Sequence, residues 1–340
     1  MLKYFFQRIA YMLAVLLLLS LLVYLVYNLL PIDKAADMAM QEIAANKNLI
    51  YAERYLYWQR RYGLDGGLLV RYLRWLGLAP FYDGSFQGLL QGNLGSSIAY
   101  GKPVAEVIVE PLKNTLFLNL LSTALSLSIT LPLGAFCAIK RGSKRDTAVQ
   151  VATIVGYSMP AFIIAILFIW LFAIQLNLFP VSGTSSVGKD YVGFRAFLDK
   201  LWHFGLPLLV TTFVSLGGMT RYVRAAMIEA LHLDCIRTAR AKGLHERLIV
   251  RTHAWRNALL PIVTLIVGWL TSIFSGSIMI ENVFGINGIG KVYFEALTTN
   301  DNEIALAMQM FYIFLALAGN LLADFTYGLV DPRVRVGGRQ

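Results

Sequence analysis

Six apolar runs decide what this chain can fold into: 9–30, 115–139, 151–176, 204–222, 259–280 and 304–329. Each comes close to the ~20 residues that a helix needs to cross the hydrocarbon core of a bilayer. Backbone in lipid must satisfy its own hydrogen bonds, so runs of this kind fold as helices. Of the 340 residues, 57% are apolar and 15% charged, a composition that does not suit a soluble protein of one or two domains. The first run follows a short basic start (Lys3, Arg8). It is too long for a signal-peptide core and has no small-residue cleavage site after it, so it is expected to remain as a transmembrane helix.

Six spans put both termini on one side, and the charges say which. The terminal side (residues 1–8, 140–146, 221–256 and the tail) holds seventeen Lys and Arg against five acids. The opposite loops hold thirteen against fourteen acids. Short basic loops stay in the cytoplasm, so both termini are expected to be cytoplasmic. The net charge of +10 then reports topology rather than nucleic-acid binding. Cys137 and Cys235 both fall beside the basic loops and read as free thiols in a reducing compartment.

The division expected is 1–30 for the cytoplasmic start and first helix, 31–113 for an external domain, 114–330 for the membrane core and 331–340 for a cytoplasmic tail. Residues 31–113 mix charges and aromatics; 35–76 reads as mainly helical, broken at Gly63 and Gly66-Gly67. Aromatics such as Tyr72 and Trp75 are expected to pack its small core. In the third span, Ser158-Met159-Pro160 predicts a kink. Residues 177–203 read as a polar loop, the Gly217-Gly218 pair as a site of close helix packing, and 281–303 as a Gly-rich return. Asp324, near Asn320, is the one acid well inside a span, and a structural hydrogen bond or ion pair suits it better than a functional role.

The interval 221–261 is polar and basic but not slack. Met227, Ile228 and Leu231, then Ile236 and Ala239, then Leu244, Leu248 and Ile249 recur at helical spacing. Gly243 interrupts them where a short helix would end. A helix–Gly–helix held between spans suggests a stiff knob facing the cytoplasm; the plainer alternative is a loop that only sets orientation. Reaction machinery is missing from the sequence. There is no GxxxxGK[ST], nucleophile elbow, zincin helix or paired-acid arrangement, and the histidines are scattered, so no catalytic or metal site is assigned. GINGIG at 285–290 imitates part of a dinucleotide fingerprint but reads as a turn. A helical membrane protein with a cytoplasmic knob and no catalytic cluster fits the translocating half of a machine driven by a separate subunit.

Thr238-Ala239-Arg240-Ala241-Lys242-Gly243, continuing to His253, Arg256-Asn257-Ala258 and Pro261, resembles the EAA loop of ATP-binding-cassette importer permeases, in the form of the dipeptide/oligopeptide/nickel permease family. The resemblance runs along nearly the whole chain, through Gly92-Asn93-Leu94-Gly95-Ser96-Ser97, Asn114-Thr115-Leu116, Lys140-Arg141-Gly142-Ser143 and Ser158-Met159-Pro160. It continues through Glu281, Gly288-Ile289-Gly290, Asp301 and Asp331-Pro332-Arg333. A departure is Pro31-Ile32-Asp33-Lys34, where the family usually has Pro-Gly-Asp-Pro.

The resemblance implies an all-α membrane protein with six transmembrane helices of the type I importer permease fold and a small, mainly helical external domain. It implies a bacterial plasma (inner) membrane location, pairing with a second homologous permease, two cytoplasmic ATPases that bind ATP and Mg, and an external binding protein that delivers a peptide. No cofactor is expected in this chain itself. Cys235, Ile236, Arg237, Thr238, Ala239, Arg240, Ala241, Lys242, Gly243 and Leu244 would form the coupling helix seated on an ATPase. The alternatives are a permease of the same family for nickel chelates or another small solute, a self-contained secondary transporter, which would show inverted repeats and intramembrane acids, and a membrane sensor.

Overall fold

The computed structural model describes residues 2–31 and 33–330; the expected tail with Asp331-Pro332-Arg333 lies outside the described residues. The fold is helical: α1 (Leu2–Asn28), α2 (Lys34–Ala45), α3 (Tyr51–Arg61), α4 (Leu68–Leu76), α5 (Val104–Ile139), α6 (Lys144–Ser158) and α7 (Ala161–Phe168), which runs on as a π-helix over Ile169–Gln175. Then come α8 (Phe194–Leu231), α9 (Asp234–Ala241), α10 (Glu246–Leu248) with a π segment at Ile249–Ala254, α11 (Trp255–Ser272), α12 (Ile278–Val283), α13 (Ile289–Thr298) and α14 (Asn302–Val330). Among the described residues the sole β feature is an isolated bridge between Ser96 and Pro103.

Among the described residues, four helical stretches are long and apolar enough to cross a membrane: Phe6–Asn28, Val104–Ile139, Phe194–Leu231 and Asn302–Leu322. A fifth candidate is the pair Lys144–Ser158 and Ala161–Gln175, bent by 105°. The bend falls at the expected proline. Met159 is extended (φ −83°, ψ 137°), because the residue before a proline is driven out of the α region, and Pro160 opens the next helix. Where a span over 259–280 was expected, α11 stops at Ser272, and its apolar stretch Pro261–Leu270 is a shorter helix. The loop expected at 177–203 is also shorter. Helix α8 begins at Phe194, since Phe194, Phe197, Leu198 and Leu201 keep apolar residues at helical spacing among Arg195, Asp199 and Lys200.

The chain forms two compact units, Met1–Val109 with Tyr293–Phe314, and Glu110–Val292 with Leu315–Gln340. In the first, Tyr24 of α1 packs on Tyr72 and Trp75 of α4, with ring centroids 5.5 and 5.3 Å apart. The Tyr72 hydroxyl meets Ser20 Oγ at 2.7 Å. Helices α2 and α3 are clamped by Glu42 and Arg54, whose Nη2 donates to Oε1 at 2.7 Å. Asp301 is 2% exposed and accepts from Ser97 Oγ (2.5 Å) and the Ala99 amide (3.1 Å). Tyr72 and Trp75 serve packing, as expected, whereas Tyr51, Tyr57, Tyr82 and Phe86 remain exposed.

In the second unit, α6 lies along α8 at Gly217, where a Cβ would stand 2.6 Å from the Thr153 carbonyl oxygen and 2.7 Å from Tyr157 Cβ. Gly218 has no such neighbour, its closest approach being 3.9 Å. One of the two glycines therefore makes the close packing expected of the pair. Two apolar cores fill this unit. One gathers Leu118, Ile164, Phe204, Val210 and Phe284; the other gathers Val223, Met227, Ile236, Ile249 and Ile262.

Candidate functional site

The basic interval resolves into the end of α8, a short helix α9, a turn at Gly243 and α10. Residues 221–231 are the end of α8, about three turns that carry the helix on from the fourth apolar run. After His232 and Leu233 the chain re-enters a helix as α9, only eight residues long. A helix this short is not stable alone; packing and its cap hold it. Ile236 (0% exposed) and Ala239 face inward on the core of Val223, Met227, Ile249 and Ile262. Fully burying an isoleucine side chain contributes about 1.5–3 kcal/mol, so Ile236 is the peg that fixes the roll of α9.

Everything else proposed for the site faces out. Cys235, Arg237, Thr238, Arg240, Ala241, Lys242, Gly243 and Leu244 are all exposed. The C-terminus of α9 closes as a Schellman motif: the Leu244 amide donates to the Ala239 carbonyl (3.3 Å) and the Gly243 amide to the Arg240 carbonyl (2.9 Å). Gly243 holds φ +74°, the left-handed conformation that favours glycine. Arg240 forks onto Glu246 (Nη2 to Oε1 2.6 Å, Nε to Oε2 3.2 Å), tying α9 to α10. This hydrogen-bonded guanidinium holds the Glu246 carboxyl below the usual carboxylate range. Leu233, Leu244 and Leu248 add exposed apolar surface beside the basic residues. The result is a short, pegged and capped helix with a mixed apolar and cationic outer face, suited to docking rather than to chemistry.

Below α9 lies an ion pair that the sequence did not single out. Asp146, at the start of α6, receives Arg224 of α8 in a bidentate grip, Nε to Oδ1 and Nη2 to Oδ2 both at 2.8 Å. Its Oδ2 also accepts from the Gly142 amide at 2.9 Å. The basic turn at 140–146 is thereby bolted to α8 ten residues before α9. Asp146 stands directly after Arg145 in a cationic run, which hid its role; a lone acid amid cations near a helix start is the signal that could have drawn attention to it.

Glu281, named above in the resemblance but given no role, is the second such residue. It is 1% exposed, accepts from Thr115 Oγ1 (2.9 Å) and the Lys291 amide (2.9 Å), and its carboxylate sits where a Cβ on Gly288 would fall, 2.4 Å from Cδ. The GINGIG stretch is thus a turn, as expected, and its Gly288 admits a buried carboxylate rather than a dinucleotide.

Residues 130–336 match the family described as the binding-protein-dependent transport system inner membrane component. The chain belongs to that family. It is a permease subunit of an ATP-binding-cassette importer, a multi-pass, all-helical membrane protein of the type I importer fold. It is 32% identical over 335 residues to the oligopeptide transport system permease protein AppB of Bacillus subtilis, covering 98% of this chain and 99% of that one. It is 31% identical over 353 residues to the dipeptide transport system permease protein DppB of Escherichia coli K12, again covering 98% and 99%. Among solved structures, the inward-facing MetNI methionine transporter aligns with 65% of this chain and 97% of its own, at 18% identity and a TM-score of 0.47.

Proposed function

We propose that this permease is one half of the pore of a peptide importer in a bacterial inner membrane. It pairs with a second homologous permease, is driven by two cytoplasmic ATPases that hold the ATP and Mg, and is supplied by an external binding protein. The observation that carries the substrate class is the end-to-end similarity to relatives named as oligopeptide and dipeptide permeases. Residues 31–113 then face the binding protein, and both termini are cytoplasmic, in keeping with the basic bias of 140–145 and 221–256.

Coupling is assigned to Cys235–Leu244. Helix α9 has the required physical character: it is pegged by Ile236, capped at Gly243 and exposed on its outer face. A stiff element passes on a rigid-body displacement that a loose loop would absorb. Arg237, Arg240 and Lys242 offer cations to acidic groups at the rim of an ATPase groove, and Leu244 and Leu248 offer apolar contact.

The test is to purify the tagged chain in mild detergent, identify what accompanies it, and reconstitute the assembly with a labelled dipeptide and tetrapeptide. A second permease, P-loop ATPases and ATP-dependent peptide uptake are expected. Uptake by the chain alone without ATP, or ATP-driven uptake of a solute other than peptide, would overturn the corresponding part of the reading.

A further inference from the structure

A recess of about 210 Å³ opens in the second unit between α5, α8 and the end of α11. Its polar lining is mostly hydroxyl, with Asn119 and Ser122 on α5, Thr211 and Ser215 on α8 and Ser272 at the end of α11, together with the Trp269 indole. Among the described residues, no Asp, Glu, Lys or Arg lines it. Polar side chains in spans commonly act as glue between helices, but here three helices turn theirs onto one hollow.

The hydrogen bonds give that hollow a definite chemical character. The Ser122 hydroxyl donates to the Asn119 carbonyl (3.1 Å), Thr211 to the Pro207 carbonyl (2.9 Å), Ser215 to the Thr211 carbonyl (2.8 Å) and Ser272 to the Trp269 carbonyl (2.7 Å). The Asn119 amide nitrogen donates twice, to the carbonyls of Ile273 (2.8 Å) and Ser275 (2.9 Å). With these protons engaged by the backbone, the oxygens of Ser122, Thr211, Ser215 and Ser272 and the Asn119 side-chain oxygen remain as acceptors. The wall is uncharged and acceptors predominate on it; its remaining donors are the Trp269 indole N–H and the hydroxyls of Thr123, Ser275 and Ser277. Further along the same α5 face, Ser126 and Thr130 are fully buried, and neither hydroxyl has a hydrogen-bond partner among the described residues. Buried polar groups are ordinarily paired, so the stripe extends beyond the hollow with unused capacity.

Resting on the reading of this chain as a peptide permease, we propose that this recess is its wall of the translocation path, matched to the ammonium terminus and backbone N–H groups of the solute. Neutral acceptors satisfy those donors as they leave water. A fixed carboxylate would do so more strongly, but it would hold the cation, and passage requires sites weak enough to leave. The chemical class admitted is therefore amide- and ammonium-bearing, with side-chain identity left unread by this wall.

The experiment uses the complete reconstituted complex carrying Ser215→Cys or Ser272→Cys, each a near-isosteric change. Wild type, with its own two cysteines, and Leu120→Cys, exposed on α5, are the controls. Each is treated with a cationic or a neutral methanethiosulfonate of similar size, with and without a tripeptide. Both recess thiols are expected to react, and the tripeptide to slow the reaction. The cationic adduct should cut tripeptide uptake about tenfold or more beyond the neutral adduct, because a like charge is set in a poorly solvated path. An N-acetylated tripeptide should suffer less from the cationic adduct. Absence of protection, or equal losses from cationic and neutral adducts, would overturn the inference. If the unmodified complex imports another solute and no peptide, the peptide reading fails by itself. Protection of the Ser215→Cys variant by that solute would then keep the recess on the path.

Discussion

Gly243 provides the sharpest test of the coupling assignment, because the cost of changing it can be isolated. No atom of this chain lies within 4 Å of where its Cβ would be, so an added Cβ meets no clash within the chain and its first cost is in backbone conformation. At φ +74° an ordinary L-residue costs about 1–2 kcal/mol, a β-branched one is a marked outlier, and Asn is among the residues that tolerate the region best. That cost falls on the Schellman turn ending α9 and amounts to roughly 5–30-fold in the population of the intact turn. Ile236 and Ala239 still dock, so overall stability should hardly move. The assay is peptide imported per ATP hydrolysed in proteoliposomes containing the whole complex. Gly243→Val should lower that ratio several-fold while ATP hydrolysis continues, Gly243→Ala should fall between, and Gly243→Asn should stay close to wild type. A Gly243→Val complex with the wild-type ratio would refute the reasoning, as would an Asn variant as poor as the Val one, since the effect would then not follow backbone strain.

Three further outcomes are expected. Asp146→Asn leaves the Arg224 guanidinium without its carboxylate; losing a charge-assisted bidentate contact at a site where Asp146 is nearly buried should cost about 1–3 kcal/mol. Thermal denaturation of the purified complex should show it, Arg224→Lys should recover only part of the contact, and unchanged melting of both would remove the pair from the account. Gly217→Ala should destabilise by about 1–3 kcal/mol through overpacking against Thr153 and Tyr157 while Gly218→Ala is neutral; equal effects in the same melts would contradict the packing described. Cys235, exposed on α9, should react with maleimide in the permease stripped of ATPase and be protected when the ATPase is restored, and equal labelling would count against this docking face.

Much of this architecture was legible because lipid simplifies the problem. A run of apolar residues has only one way to satisfy its backbone, so α1, α5, α8 and α14 stand where the hydropathy placed them. Met159-Pro160 announced the bend between α6 and α7 through local sterics alone. The limits of the elements were less legible. Residues 194–203 and 221–231 are amphipathic rather than apolar, so the sequence reads loop and knob where α8 continues as one 38-residue helix. Paired positions were least legible: Asp146 with Arg224, and Glu281 with Thr115, are far apart in the chain, and nothing local to either residue reports its partner.

The length of α8 links the two assignments made for this chain. At 1.5 Å per residue, its 38 residues reach about 57 Å, well beyond a hydrocarbon core of about 30 Å. Thr211 and Ser215 lie on the recess, Arg224 grips Asp146, and Leu231 ends the helix three residues before α9 begins. The one proline inside it, Pro207, precedes all of these, so the stretch from Ser215 to Leu231, about 24 Å, is continuous helix without a proline break. A displacement of α9, whose Ile236 is packed on Val223 and Met227 of the same helix, thus reaches Ser215 through a single rigid rod, and the Asp146–Arg224 grip makes α6 move with it. The recess would change shape because one of its walls is the shaft of the lever. If so, the reactivity of the thiol in the Ser215→Cys complex should differ with and without ATP, and a helix-breaking change between the two, such as Ala225→Pro, should leave peptide protection intact while removing that difference; a difference that survives Ala225→Pro would refute the lever.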